Sequence, residues 1–182
     1  MPTATSTKHP KGLKFLFLSE MWERFGYYLM IGIFTLYLKD VKAGFAMTEA
    51  ESADLYGTFI ALVFLTPFLG GLIADRYLGY AKSIIIGGVM MGVGYCLMGV
   101  HSLPMLYLAM TLVIFGNGFF KPNMTSILSE MYKNHPEKKD GAYTIFYMGV
   151  NAGAFFGMML CGYLAEKVGW HWGFGLAGIF ML

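Results

Sequence analysis

The sequence predicts an all-α membrane protein, and three observations carry that reading. Of its 182 residues 57% are hydrophobic and 17% aromatic, with only 13% charged, against about 25% charged in ordinary soluble domains. The apolar residues fall in long runs separated by short loops that hold most of the charge. Within the first run the few polar residues recur at helical spacing, as they do when a spanning helix turns one polar stripe away from lipid.

Residues 1–14 are polar, with Lys8, Lys11 and Lys14, and read as a cytoplasmic arm. A first span is expected over 15–38, too long for a cleavable signal segment. The mixed-charge loop that follows ends in Thr48-Glu-Ala-Glu51, a capping box, opening a span over 53–74. Asp75, Arg76 and Lys82 mark a tight turn into a span over 83–100, and His101-Ser-Leu-Pro104 turns the chain back into a long span over 105–131. Pro122 should kink that span, because proline removes a backbone bond. After a polar loop, 132–140, a fifth span covers 141–165. The last apolar segment, 172–182, is shorter than the roughly 20 residues that cross a bilayer core, so the sixth span is expected to be truncated or re-entrant.

Loop charges orient the chain. Lys8, Lys11, Lys14, Arg76, Lys82, Lys133, Lys138 and Lys139 share one side; Lys39, Lys42 and Lys167 share the other. The positive-inside rule places the N-terminus in the cytoplasm of a multi-pass cell-membrane protein, the inner membrane if the source is bacterial. Cys96 and Cys161 sit inside apolar runs and read as packing residues rather than a disulfide framework. Gly149, Gly153 and Gly157, like Gly88 and Gly92, repeat every four residues and read as helix-packing seams.

In the first span Glu20, Glu23, Arg24, Tyr27 and Tyr28 lie at i, i+3, i+4, i+7 and i+8. Each charge at the centre of a spanning helix costs about 2.5–3.5 kcal/mol, so such residues face a bundle interior or aqueous cavity and are paired. The bland alternative is that Glu20 and Glu23 are solvated near the surface, Glu20 being roughly 7.5 Å into the segment. Gly116-Asn-Gly-Phe-Phe-Lys-Pro-Asn123 sets Asn117 and Lys121 one turn apart on one face, with Lys121 either buried or snorkelling. Tyr143, Tyr147 and Asn151 form a second stripe, whose bland reading is interhelical bonding worth about 0.6 kcal/mol per contact. Gly70 to Gly79, with Gly71, Asp75, Arg76 and Gly79, reads as a gating loop. There Asp75 would accept amides from a neighbouring helix N-terminus, unless the segment is an ordinary charged turn.

Asn123-Met-Thr125 matches a glycosylation sequon but falls on the cytoplasmic side. His9, His101, His135 and His171 are scattered, and no nucleotide loop, zinc spacing, nucleophile elbow or nucleic-acid surface is present. The reading is therefore not an enzyme, with no metal and no cofactor beyond a coupling proton. Glu20, Glu23, Arg24 and Lys121 sum to zero charge if they share a cavity. An arriving carboxylate upsets that balance, and protonating a glutamate either restores it or frees Arg24. Both routes link proton and anion binding.

Glu20-x-x-Glu23-Arg24-Phe25-x-Tyr27-Tyr28 resembles the first-helix signature of the proton-coupled oligopeptide transporter family, within the major facilitator superfamily. Gly70–Gly79 is similar to the superfamily's loop motif between helices 2 and 3. Gly116–Asn123 and Phe146-Tyr-Met-Gly-Val-Asn151-Ala-Gly-Ala-Phe resemble the family's helix 4 and helix 5 patterns. The resemblance runs from about Phe15 onward. It implies the N-terminal six-helix bundle of a roughly twelve-helix transporter, two inverted three-helix repeats, with the sixth helix truncated and the C-terminal six-helix bundle missing. It also implies proton-driven uptake of di- and tripeptides by alternating access across the lipid bilayer. Glu20, Glu23, Arg24 and Lys121 are then the proton-coupling residues. Arg24, Tyr27, Tyr28, Lys121, Tyr147 and Asn151 are the substrate-binding set. Two departures stand out: Ile31 where many members carry a second arginine, and Phe64 where a tyrosine is frequent. They leave open a symporter for another small solute, and the missing bundle leaves open a non-transporting accessory protein.

Overall fold

The computed structural model describes residues 9–182, apart from the side chains of residues 165 and 166. Residues 1–8 of the expected arm, with Lys8, lie outside the described residues. Among the described residues six helices are joined by short turns: α1 Gly12–Lys39, α2 Glu49–Ile73, α3 Tyr80–Met98, α4 Leu103–Met131, α5 Lys139–Tyr163 and α6 Trp170–Met181. The capping box closes: the Glu51 amide donates to Thr48 Oγ1 at 3.3 Å and the Thr48 amide to Glu51 Oε2 at 2.9 Å. That cap starts α2 at Glu49, a turn before the apolar pattern begins. Likewise α3 starts at Tyr80, because Gly79 makes the turn alone with φ 76°, a conformation costly for any residue with a Cβ.

The helices are arranged as two triplets. α1 packs on α5 as α4 packs on α2, α4 packs on α3 as α1 packs on α6, and α3 meets α6. Exchanging α1–α3 with α4–α6 reproduces this pattern, and with three helices in each triplet the second runs inverted to the first. The ends of α2 and α5 match too. Each widens into a five-residue π turn, Ala74–Leu78 and Leu164–Val168, closed by a positive-φ glycine, Gly79 or Gly169.

Small residues set how closely these helices meet. A Cβ on Gly153 would collide with the Met21 carbonyl of α1, and one on Gly157 would lie 2.6 Å from the Phe25 carbonyl. Gly70 of α2 lies against Gly118 of α4 in the matching place. The Gly118 carbonyl is the one that Pro122, lacking an N–H, leaves without its helical partner; α4 nevertheless continues unbroken through Pro122. On α3, Gly87 is closer to α4 than Gly88 is: a Cβ there would lie 2.6 Å from the Gly116 carbonyl, against 3.5 Å from the nearest atom for Gly88.

By length and composition four helical segments can cross a membrane: Glu49–Leu78, Tyr80–Met98, Leu103–Met131 and Pro136–Tyr163. α1 is long enough, but Glu20, Glu23 and Arg24 interrupt its apolar length. It buries itself in protein instead, with Leu29, Met30, Ile33 and Phe34 wholly enclosed. The α1–α2 loop straps the far end of the bundle. Asp40 accepts from the Lys42 amide at 2.8 Å and from Trp170 Nε1 at 2.7 Å, while His101 Nε2 donates to the Gly44 carbonyl at 2.6 Å. The donated bonds from Lys42 and Trp170 hold the Asp40 carboxyl below its ordinary range.

Candidate functional site

The polar stripe of α1 turns inward, towards α3 and α4. Glu23 is fully buried, and Glu20 and Arg24 are nearly so. Neighbours on a helix do not ordinarily face each other, but here the Arg24 guanidinium folds back and grips Glu23 with two prongs. Nε contacts Oε2, and Nη2 donates to Oε1 at 2.7 Å. Glu20 Oε1 stands 3.6 Å from Arg24 Nε, so one guanidinium serves two carboxylates. Arg24 also lies 5.1 Å over the Tyr27 ring, and Tyr28 meets Tyr27 edge-on. A buried charge cluster of this kind persists only when its members are paired and hydrogen-bonded.

α4 adds two residues. Asn117 directs its Nδ2 at Glu23 Oε1 from 3.5 Å, a long contact. Lys121 is half-buried, with Nζ 5.3 Å over the Phe64 ring of α2, and its charge acts on Glu20, Glu23 and Arg24. Phe64, the departure from the resembled pattern, therefore carries a lysine on its π face. The four charges lie in one neighbourhood, with Arg24 bonded and Lys121 held apart from the carboxylates.

Tyr95 of α3 is a member the sequence reading missed. It is fully enclosed, its hydroxyl has no partner among the described residues, and the charges of Glu23 and Arg24 act on it. Gly26 admits it: a Cβ there would lie 3.4 Å from the Tyr95 ring. The only sequence signal was a single phenol in a glycine-rich span. Glu20 Oε2 and Asn117 Oδ1 are likewise buried without partners among the described residues. Each such group is costly to leave unpaired, about 1–3 kcal/mol, so the network has unused bonding capacity beside its charges.

Other expected residues lie outside this cluster. Tyr147 and Asn151 of α5 are exposed, Tyr147 by 54%, and Tyr143 is half-exposed. Asp75 and Arg76 are also exposed, and a Cβ on Gly71 would lie at ordinary contact distance, 3.7 Å, from Pro122. Asp75 faces the Tyr80 phenol; the expected amide bonds from a helix N-terminus are not formed among the described residues. Asn123, in the sequon, is buried and donates to the Phe119 carbonyl at 2.6 Å.

Known proteins resemble this chain in sequence and fold. A family model described as the POT family matches residues 81–182. Dipeptide and tripeptide permease A of Escherichia coli (strain K12) is 40% identical over 177 residues, 96% of this chain and 35% of the permease. The permease of the same name from Edwardsiella piscicida is 38% identical over 96% of this chain and 36% of its own length. A crystal structure of a peptide transporter POT in complex with sulfate superposes on all of this chain with a TM-score of 0.92 at 35% identity, over 37% of that transporter. A POT family transporter in complex with 5-aminolevulinic acid gives 0.91 at 30% identity, over 38% of its length. This chain thus spans little more than a third of the proteins it matches, corresponding to their N-terminal part.

Proposed function

The chain belongs to the POT family, and on that premise we propose that it supplies the N-terminal part of a proton-coupled symporter of di- and tripeptides. The carrying observation is the buried Glu20–Glu23–Arg24 cluster with Lys121 beside it. Glu23 has both oxygens engaged by Arg24, whereas Glu20 Oε2 has no donor among the described residues and is the open place for a proton. A proton arriving at this pair weakens the hold on Arg24, which is then available to a peptide carboxylate together with Lys121. The exposed Tyr147 and Asn151 suit contact with substrate from the surface of the bundle. Alternating access needs a second bundle to rock against this one, so a C-terminal six-helix bundle is the required partner. The gating loop around Gly71, Asp75, Arg76 and Gly79 lies at the cytoplasmic end in this orientation, with the N-terminus cytoplasmic. No cofactor is invoked, and the role is transport rather than catalysis.

The test is uptake of a labelled dipeptide by the whole transporter in liposomes with an inward proton gradient. Accumulation above equilibrium is expected, with loss of accumulation in Glu23→Gln. Full proton-driven accumulation by Glu23→Gln would count strongly against the scheme. Ile31 supports a second reading, a symporter for another small solute. Solved relatives are in complex with alafosfalin and with 5-aminolevulinic acid. Failure of unlabelled di- and tripeptides to compete would favour that reading.

A further inference from the structure

We propose that the cytoplasmic end of α1 carries a docking site for one anionic phospholipid, laid along the groove between α1 and α5. The groove opens as a space of about 830 Å³, with His9, Lys11 and Lys14 at its mouth and Leu13, Phe17, Leu18 and Ile145 along its walls. Lys11 and Lys14 are exposed, and neither forms an ion pair among the described residues. His9 is anchored, its Nδ1 lying 2.7 Å from the Tyr132 hydroxyl, so the mouth has a fixed edge.

A separate apolar space lies deeper along α1. One turn further along the same face of α1, Met21 and Trp22 follow Phe17 and Leu18. They line a second space of about 450 Å³ with Phe25, Phe156 and Phe180, every lining side chain apolar. From Lys14 to Phe25 the helix rises roughly 16 Å, about half of a ~30 Å hydrocarbon core. A basic mouth at the interface with apolar space below it complements a phospholipid with an anionic headgroup. Basic pockets at the cytoplasmic face of transmembrane helices attract such headgroups.

The site rests on the membrane orientation proposed above but not on the identity of the substrate. The test uses the whole delipidated transporter, titrated in native mass spectrometry with phosphatidylglycerol and with phosphatidylcholine of the same acyl chains. Phosphatidylglycerol is expected to bind more tightly. Lys11→Gln with Lys14→Gln should weaken it roughly thirtyfold, leaving phosphatidylcholine unchanged. Lys11→Arg with Lys14→Arg should keep the preference, and Ile145→Trp, which fills the groove, should reduce binding of both lipids. Proton-driven uptake by the glutamine variant reports that it is folded. Equal binding of the two lipids, a preference that survives the glutamine variant, or no effect of Ile145→Trp would overturn the proposal. So would displacement by inorganic phosphate at matched concentration, which would mean an anion site with no docked chain. Selective lipid binding without peptide uptake would overturn only the substrate reading.

Discussion

Arg24→Lys isolates the geometry of the buried cluster from its charge. Arginine reaches Glu23 with a planar fork and makes two bonds, one at 2.7 Å and one closer. Lysine keeps the positive charge but is a point donor that cannot reproduce the fork. One charge-assisted bond is then lost, about 1.5–3 kcal/mol, which shifts the balance between locked and released cation roughly 10- to 150-fold. In the proposed scheme this lock ties substrate binding to protonation. The assay compares concentrative dipeptide uptake under a proton gradient with counterflow exchange, which needs no net proton movement. Arg24→Lys should lose concentrative uptake by about tenfold or more and retain exchange, because the charge that meets the carboxylate is still present. Concentrative uptake equal to that of the unmodified transporter would refute the lock. Loss of both activities in a folded protein would assign Arg24 to substrate binding alone.

Gly153→Val should destabilise the α1–α5 pair by about 1–3 kcal/mol through overpacking against the Met21 carbonyl, read as a lower unfolding temperature. Gly57→Ala, where a Cβ meets nothing within 4 Å, should leave that temperature unchanged or slightly raised. Because the Asp40 carboxyl is held below its ordinary range, its contribution is present above the unfolded value of about 3.9 and is lost as pH falls through the lower folded value. Trp170 fluorescence, with every other tryptophan of the transporter replaced by Phe, should therefore change only in strong acid, and Asp40→Asn should abolish the change; a transition above pH 5 would contradict this. Tyr95→Phe removes a buried hydroxyl that has no partner here, so stability should be unchanged or higher. Altered pH dependence of uptake in the same variant would show that the hydroxyl finds a partner elsewhere in the cycle.

The helices were legible because the bilayer demands them. Long apolar runs must satisfy their backbone internally, and turn residues such as the Thr48–Glu51 box and Gly79 mark where each begins. The stripe on α1 was legible for the same reason, since charges at helical spacing in an apolar run must converge on one side. Helix spacing could not say which of several glycines meets a partner. Gly87 rather than Gly88 makes the close approach to α4, a matter of how α3 is rotated against its neighbour. Nor could it separate the α1 stripe, which is buried, from the α5 stripe of Tyr147 and Asn151, which is exposed.

By itself the sequence determined an all-α membrane bundle, the order and approximate ends of its helices, and a short set of residues too polar for lipid. Those follow from local periodicity and from the cost of placing charge in hydrocarbon. Only the tertiary structure decided that Arg24 grips Glu23 rather than Glu20, that Lys121 rests over Phe64, and that Tyr95 of α3 closes the cluster. The last two depend on the rotation and distance of helices far apart in sequence, and the first on which way a side chain folds on its own helix. Pairing among charges in a low-dielectric interior is set by ångström-scale differences that no periodicity records.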